Sequence, residues 1–165
     1  MPTFPGKNSS IWGHLIGKPH TLCYKIFVWQ VFAGYRLQTF KTKAFARFAN
    51  REGLEDAALC DAVDRALMGL VDADLGGGVI KQRIARKGGG RSGGFRAIVL
   101  FRRGDLAFFV YGFAKSGRDN VRRDELVVFR LLANEYLSLN QAGVAAAQAV
   151  GAIIEVKCDD QAVQE

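Results

Sequence analysis

The sequence predicts an α+β domain in which helices pack against a largely antiparallel sheet. Helical periodicity occupies residues 43–71 and 123–139, on both sides of a central region of three extended segments rich in Val, Ile and Phe. Two of these segments are joined by a tight-turn sequence, which is typical of a β-hairpin. At 165 residues, the chain is long enough for one well-buried core and too short for two large domains.

The first half of this domain is expected to begin with a short strand at residues 37–41, where apolar and polar residues alternate. Residues 43–49 repeat apolar side chains at helical spacing, and Gly53 is expected to end this first helix. A second helix is expected over residues 54–71 because one of its faces is apolar. The three glycines at 76–78 are expected to stop it.

Three strands are expected next, at residues 79–85, 95–102 and 106–114. The last two are nearly continuous apolar runs, so we expect central strands that are covered on both faces. A helix over residues 123–139 follows, with Asp119 or Asn120 as its cap. A weaker, alanine-rich helix is expected over residues 142–149, and residues 153–165 are expected to be loose.

Residues 1–36 differ from the rest of the chain because they contain every proline, histidine and tryptophan and show no sustained periodicity. We therefore divide the chain into an N-terminal appendage of uncertain order (1–36), one domain (37–140) and a C-terminal helical or loose tail (141–165). Since both histidines fall in the appendage, no histidine base or histidine metal ligand is expected in the domain. No metal and no other cofactor is predicted.

The cysteines and the apolar segments indicate in which cellular compartment the protein is expected. Cys23, Cys60 and Cys158 are odd in number and far apart, so neither a disulfide framework nor a Cys-x-x-Cys metal clip is expected. This usage predicts a cytoplasmic protein. The apolar run at residues 22–33 is interrupted by Lys25 and Gln30 and falls short of the ~20 residues that a bilayer-spanning helix needs, so no membrane partner is expected.

The strongest functional signal is a run of cations between residues 79 and 103. It has no carboxylate, and a glycine-rich turn lies in its middle. A solvated structural face normally mixes both signs because like charges repel. Together with the net charge of +7, this run favours an anionic partner such as nucleic acid. The eight cations are Lys81, Arg83, Arg86, Lys87, Arg91, Arg96, Arg102 and Arg103.

Strand periodicity predicts which of these cations point together, because residues two apart share a face. Lys81 and Arg83 share one face of the first long strand. Arg96 shares a face of the next strand with apolar residues, and a guanidinium there can form bidentate hydrogen bonds with phosphate. Aromatic rings can stack on bases, and cations can neutralise a phosphate. The end of the third strand brings three more candidates toward the same edge: Tyr111, Lys115 and Arg118.

Three separated segments of this region carry a family resemblance. They are Gly77-Gly-Val-Ile-Lys-Gln-Arg-Ile-Ala-Arg, then Gly90-Arg-Ser-Gly-Gly-Phe-Arg96, then Tyr111-Gly-Phe-Ala-Lys-Ser-Gly-Arg-Asp-Asn120. In this order, and with the expected helices around them, they resemble the RelE/HigB-type toxin family of bacterial toxin-antitoxin systems. The resemblance covers residues 37–139. It implies a compact fold of two helices, a twisted sheet and a closing helix, and a ribosome-dependent endonuclease that cuts messenger RNA.

The resemblance also implies roles for the basic residues. In such enzymes the ribose 2′-hydroxyl attacks the adjacent phosphate without metal, and basic side chains replace catalytic histidines. Lys81 or Arg83 would act as base or orient the 2′-hydroxyl, and Arg96 would stabilise the charged phosphorane. Lys115 or Arg118 would protonate or neutralise the leaving oxygen, and Tyr111 would stack on the base. Contacts with RNA and the ribosome are expected from Arg86, Lys87, Arg91 and Arg118.

The implied partners are messenger RNA on the ribosome, ribosomal RNA, and a cognate antitoxin that is acidic or helical and encoded by an adjacent gene. Two other function classes stay open from the sequence. One is a toxin on the same scaffold that acts on a protein such as gyrase. Growth arrest with intact transcripts and broken DNA would favour this class. The other is a non-catalytic RNA-binding module. Salt-sensitive RNA binding without toxicity would favour this class.

Overall fold

A computed structural model describes residues 37–85, 94–102, 105–117 and 120–158. The chain divides into two units, residues 1–34 and residues 35–165. The first unit, with the predicted appendage, lies outside the described residues. So do four of the predicted site residues, Arg86, Lys87, Arg91 and Arg118.

The described part of the second unit is an α+β structure with four helices and one six-stranded sheet, which confirms the predicted fold class. The elements in chain order are β1 Gln38–Thr42, α1 Lys43–Glu52, α2 Asp56–Leu67, β2 Ala73–Asp74, β3 Val79–Ile84, β4 Phe95–Arg102, β5 Leu106–Ala114, α3 Arg123–Tyr136, α4 Gln141–Ala149 and β6 Ile153–Glu155.

The strands follow the order β2-β3-β4-β5-β1-β6 across the sheet. The pairs β2–β3, β3–β4 and β4–β5 are antiparallel, as expected for sequential neighbours joined by short connections. β1 pairs parallel with β5 and antiparallel with β6. β4 and β5 are therefore internal strands with cover on both faces, as their apolar sequences predicted.

The ends of the first two helices follow different rules. α1 begins where the Thr42 hydroxyl accepts a hydrogen bond from the Phe45 amide at 3.2 Å, and it ends, as predicted, at Gly53 in the left-handed conformation (φ 64°). The predicted span of α2 is too long. α2 stops at Leu67, and Gly69 at φ 80° turns the chain away. The glycines at 76–78 instead form the turn between β3 and the short strand β2, which the sequence did not predict.

Two predictions about the C-terminal third were wrong. The start of α3 uses neither Asp119 nor Asn120 as its cap, because Arg122 occupies the N-cap and its amide donates to the Glu125 carboxylate at 2.9 Å. The expected looseness does not apply to residues 153–158. These residues form β6 and continue it, and the buried Val156 donates its amide hydrogen bond to the Thr39 carbonyl at 2.8 Å.

The expectation of no disulfide was also wrong. Cys60 on α2 and Cys158 after β6 form a disulfide that joins residues 98 apart in sequence, with the Cα atoms 5.6 Å apart. Sequence spacing missed this bond because β6 returns along β1 and carries the end of the chain to α2. The neighbouring Lys157 amide donates to Asp56 at the start of α2, at 3.2 Å.

Across the described ranges, no helix is long and apolar enough to cross a membrane.

The two faces of the sheet have separate cores. α1 and α2 cover one face, hereafter the α1/α2 face, and its larger buried residues are Phe45, Phe48, Leu59, Val63, Ile80, Ile84, Phe95, Val99 and Phe109. α3 and α4 pack against the other, hereafter the α3 face, whose larger buried residues are Phe40, Val79, Ile98, Leu100, Phe108, Phe113 and Val144. The even-numbered residues of β3 therefore belong to the α1/α2 face, and its odd-numbered residues, including Lys81 and Arg83, to the α3 face.

Candidate functional site

Four of the predicted site residues lie in two adjacent cross-strand rows on the α3 face. In the first row, Lys81 of β3 lies opposite Ile98 of β4, which lies opposite Tyr111 of β5. In the second row, the partners are Arg83, Arg96 and Phe113. Directly opposite residues in a sheet have Cβ atoms about 5 Å apart. The structure thus brings together Lys81, Arg83, Arg96 and Tyr111, and we refer to this set as the cationic patch.

α3 covers the sheet next to the cationic patch. The preceding row, made of Val79 and Leu100 with Phe108, belongs to the core under α3, where the rings of Phe108 and Tyr136 lie 5.2 Å apart. Tyr111 marks the boundary, because its ring lies 5.8 Å from Phe129 of α3 while 37% of the residue stays exposed. One end of this face is therefore core, and the other is lined by cations.

A β-bulge brings Tyr111 to the α3 face. The pairing between β4 and β5 shifts between Ile98 and Val99, so that Phe109 is opposite Val99 and Tyr111 is opposite Ile98. One extra residue in β5 reverses the alternation of side chains beyond it. Without the shift, Tyr111 would point to the α1/α2 face with Phe109. No local sequence pattern predicted this bulge.

Beyond the bulge, Gly112 is on the α1/α2 face, next to the helix α1. A Cβ built on Gly112 would lie 2.2 Å from the Phe48 ring of α1. β5 therefore approaches α1 closely at this point, and a larger residue would fit only if the Phe48 ring or the backbone of α1 or β5 moved. The close approach helps to hold Tyr111 and Phe113 on the α3 face, because it fixes the side of the strand that α1 contacts.

Lys81 is half-buried and has a neutral partner. Its ammonium Nζ donates a hydrogen bond to the Asn120 side-chain oxygen at 2.8 Å. Asn120 precedes α3 and is 39 residues from Lys81 in sequence. The sequence indicated Asn120 only as a possible helix cap, and its contact with Lys81 could not be read from local patterns.

Arg83 has an acidic partner. Its Nε lies 3.1 Å from a carboxylate oxygen of Asp72, in the segment between α2 and β2. The segment is held by the fully buried Gln82, whose side-chain oxygen accepts the Asp72 amide at 3.0 Å and whose amide donates to the Ala62 carbonyl at 2.8 Å. The Arg83 carbonyl also accepts a hydrogen bond from Arg65. The Arg83 charge is thus partly neutralised, and its position is tied to the scaffold.

Arg96 is the most buried cation of the patch, with 7% of its surface exposed. Its Nη1 donates to the Phe95 carbonyl at 3.4 Å, a long hydrogen bond. Keeping a guanidinium away from water costs free energy, and it also strengthens the interaction with any anion that approaches, because the local dielectric is lower. Its predicted placement among apolar neighbours is confirmed.

Lys115 and Arg102 lie outside the two rows. Lys115 is exposed in the turn after β5, one position past the Phe95–Ala114 pair and so beyond the Arg83–Arg96 row. Arg102, at the opposite end of β4, forms an ion pair with Asp105 and donates a hydrogen bond to the Leu137 carbonyl.

Among the residues that the structure describes, no group of three His, Cys, Asp or Glu side chains is arranged to hold a metal ion.

The fold and the patch define a class: a small α+β protein with basic residues on one half of a sheet face. The family model described as the RelE toxin of the RelE / RelB toxin-antitoxin system matches residues 37–156. This match spans well over half of the chain, so the protein belongs to the RelE toxin family, and the resemblance stated from the sequence is confirmed. A search of curated proteins and a search of solved structures gave no significant match.

Proposed function

We propose that this RelE-family toxin is a metal-free endoribonuclease that cuts messenger RNA on the ribosome and so inhibits translation. The observation that carries the proposal is the placement of Lys81, Arg96 and Tyr111 in adjacent rows at the cationic end of the α3 face. Two cations and an aromatic ring within one patch can hold a phosphate and an adjacent base together. The family match supports the toxin role.

In the proposed reaction, the ribose 2′-hydroxyl gives its proton to a solvent water and its oxygen forms a bond to the adjacent phosphorus. The bond from phosphorus to the 5′-oxygen breaks, and the 5′-oxygen takes up a proton. Lys81 orients the 2′-hydroxyl, and Arg96 stabilises the extra negative charge on the phosphorane. The Tyr111 ring stacks on a base and fixes the scissile linkage over the patch. Lys115, at the end of the same strand, neutralises or protonates the leaving 5′-oxygen. Arg83 contributes positive charge, reduced by its pair with Asp72.

The partners in this proposal follow from charge. The loop cations Arg86, Lys87 and Arg91, together with Arg118, bind ribosomal RNA, and a cognate antitoxin with acidic or helical character covers the basic face. We place the toxin in the cytoplasm, where ribosomes and messenger RNA are available. The cysteines no longer support this compartment, because Cys60 and Cys158 form a disulfide.

The test maps RNA ends on translating ribosomes, with wild-type protein and with Arg96→Lys. We choose lysine because Arg96 is buried, so that alanine would leave a cavity and confuse loss of folding with loss of function. Lysine keeps the charge and loses the bidentate fork. The expected result is cleavage within translated codons that falls about 100-fold in the variant, as for loss of one preorganised donor.

A message with a 2′-deoxy sugar at the cleavage position should stay intact, because the nucleophile is absent. Cleavage of the deoxy substrate would overturn the proposed chemistry. Intact transcripts with broken DNA during growth arrest would instead indicate a protein target such as gyrase. Salt-sensitive RNA binding without cleavage or toxicity would indicate a non-catalytic RNA-binding module.

A further inference from the structure

The two cations of β3 on the α3 face have partners of different charge. Lys81 donates to the neutral side-chain oxygen of Asn120 at 2.8 Å, whereas Arg83 lies 3.1 Å from the carboxylate of Asp72. The two cations are two residues apart on one strand and share its face. Their partners therefore distinguish two residues that sequence periodicity treats as equivalent.

The difference in partner charge changes what an approaching phosphate experiences. An amide oxygen fixes the direction of an ammonium group and leaves its net charge in place. A carboxylate at hydrogen-bond distance fixes a guanidinium and also offsets part of its field. A phosphate over the patch is consequently attracted to Lys81 and to the buried Arg96 more strongly than to Arg83.

The position of Asn120 makes it suitable for holding Lys81 in place. Asn120 lies two residues before the N-cap Arg122, whose amide bonds to Glu125 and anchors the first turn of α3. One turn further along, Phe129 contacts the Tyr111 ring. The start of α3 thus sets the Lys81 ammonium through Asn120 and the Tyr111 ring through Phe129, two groups that occupy one cross-strand row.

We propose that Asn120 is a positioning residue for Lys81, and that Arg83 with Asp72 serves mainly to hold the segment between α2 and β2. The Asn120 amide fixes the ammonium where it meets the reacting ribose and phosphate. It does so without a countercharge, which an acid in its place would supply. This inference rests on the proposed endoribonuclease function and assigns different jobs to the cations within that site.

The test is a double-mutant cycle on single-turnover cleavage of ribosome-bound messenger RNA, measured against toxin concentration. Asn120→Ala should lower the maximal rate about tenfold and leave the half-saturating concentration nearly unchanged, since the residue acts through Lys81. Lys81→Ala should lower the rate further, and the double variant should equal Lys81→Ala. Asn134→Ala, the same substitution at an exposed position of α3, is the matched control and should retain the wild-type rate.

Asn120→Asp sharpens the test because it is nearly isosteric and differs in charge. The carboxylate offsets the Lys81 charge, so the aspartate variant should cleave more slowly than Asn120→Ala, although it can still hold the ammonium. Arg83→Ala should cost less activity than Lys81→Ala. Unfolding midpoints of the Asn120 variants should stay near that of the control.

Additive effects of Asn120→Ala and Lys81→Ala would overturn the positioning role, as would an aspartate variant as active as wild type. A rate loss matched by a lowered unfolding midpoint would show a purely structural role and would also overturn it. Each of these results leaves the proposed function intact, provided that the wild type cleaves messenger RNA. A wild type that leaves messenger RNA intact would overturn the proposed function and this inference with it.

Discussion

The two faces of the sheet use their residues differently. The α1/α2 face is largely apolar, and its few polar groups among the described residues have partners: the fully buried Gln82 is hydrogen-bonded on both sides, and Lys41 pairs with Asp56 of α2. The α3 face is apolar at one end and cationic at the other. One face is therefore mainly core, and one end of the other carries the cationic patch. The comparison predicts that substitutions on the two faces have separable effects on stability and on activity.

The largest expected effect on stability is that of Phe109→Ala on the α1/α2 face. Phe109 is fully buried, and its ring lies 5.1 Å from that of Phe45. Removing the ring should lower the free energy of unfolding by about 3–5 kcal/mol. Denaturant unfolding by circular dichroism measures this. Tyr111→Ala, at the boundary of the α3 face, is the matched control, and a loss as large as that of Phe109→Ala would contradict the division between the faces.

The disulfide gives the next effect, because it joins α2 to the segment that follows β6. Cys158→Ser should lower the free energy of unfolding by about 2–4 kcal/mol, as for a bond that closes a long loop. Treating the wild type with a reductant should reproduce this loss, and the same treatment should leave Cys158→Ser unchanged. Equal stability of oxidised and reduced wild type would show that β6 is held by its backbone and core contacts alone.

Gly112→Ala tests the boundary between the faces at the bulge. The added methyl group meets the Phe48 ring, so α1 or β5 must move, at a cost of about 1–3 kcal/mol. Because Gly112 is adjacent to Tyr111, this variant should also disturb the contact of Tyr111 with Phe129. Calorimetry and the tyrosine ring signals in a proton spectrum measure both effects. Unchanged ring signals together with full stability would contradict the close approach of β5 to α1.

The smallest expected effect comes from Asp64 on α2, away from the cationic patch. Partial burial, and then the nearby Asp61 carboxylate, raise the pKa of Asp64 above its ordinary value, although part of the residue remains in contact with water. A raised pKa in the fold means that ionisation opposes folding. Asp64→Asn should therefore stabilise the protein slightly at neutral pH, by less than about 0.5 kcal/mol because water screens the charge.

This difference between Asp64→Asn and the wild type should vanish as the pH falls below the ordinary value for aspartate, 3.8, where the wild-type carboxyl is protonated in both states. Unfolding curves at a series of pH values measure it. A variant less stable than wild type at neutral pH would mean that Asp64 makes a favourable contact that outweighs its burial.

Hydrophobic periodicity and glycine positions correctly predicted several strand bounds, one helix end and the shared face of two β3 residues. β4 and β5 begin and end where their apolar runs do, Gly53 ends α1, and alternation along β3 placed Lys81 and Arg83 on one face. α2 was predicted too long because its apolar face continues past Gly69, where the backbone leaves the helix.

Long-range features were missed for a different reason. The strand β6 and the disulfide depend on the return of the chain to β1 and α2, and the contact between Lys81 and Asn120 joins residues far apart in sequence. The position of Tyr111 depends on one unpaired residue in the ladder between β4 and β5. None of these leaves a periodic signal, since each is fixed by tertiary packing.

The most direct test of the cationic patch compares Lys81→Ala with Lys43→Ala. Lys43 is an exposed lysine at the start of α1, so the control removes the same charge from the other layer of the molecule. On translating ribosomes, Lys81→Ala should cut messenger RNA at least about 100 times more slowly than wild type while unfolding at nearly the same denaturant concentration, and Lys43→Ala should cut normally. Equal cleavage by the two variants would contradict the assignment of the reaction to the cationic end of the α3 face.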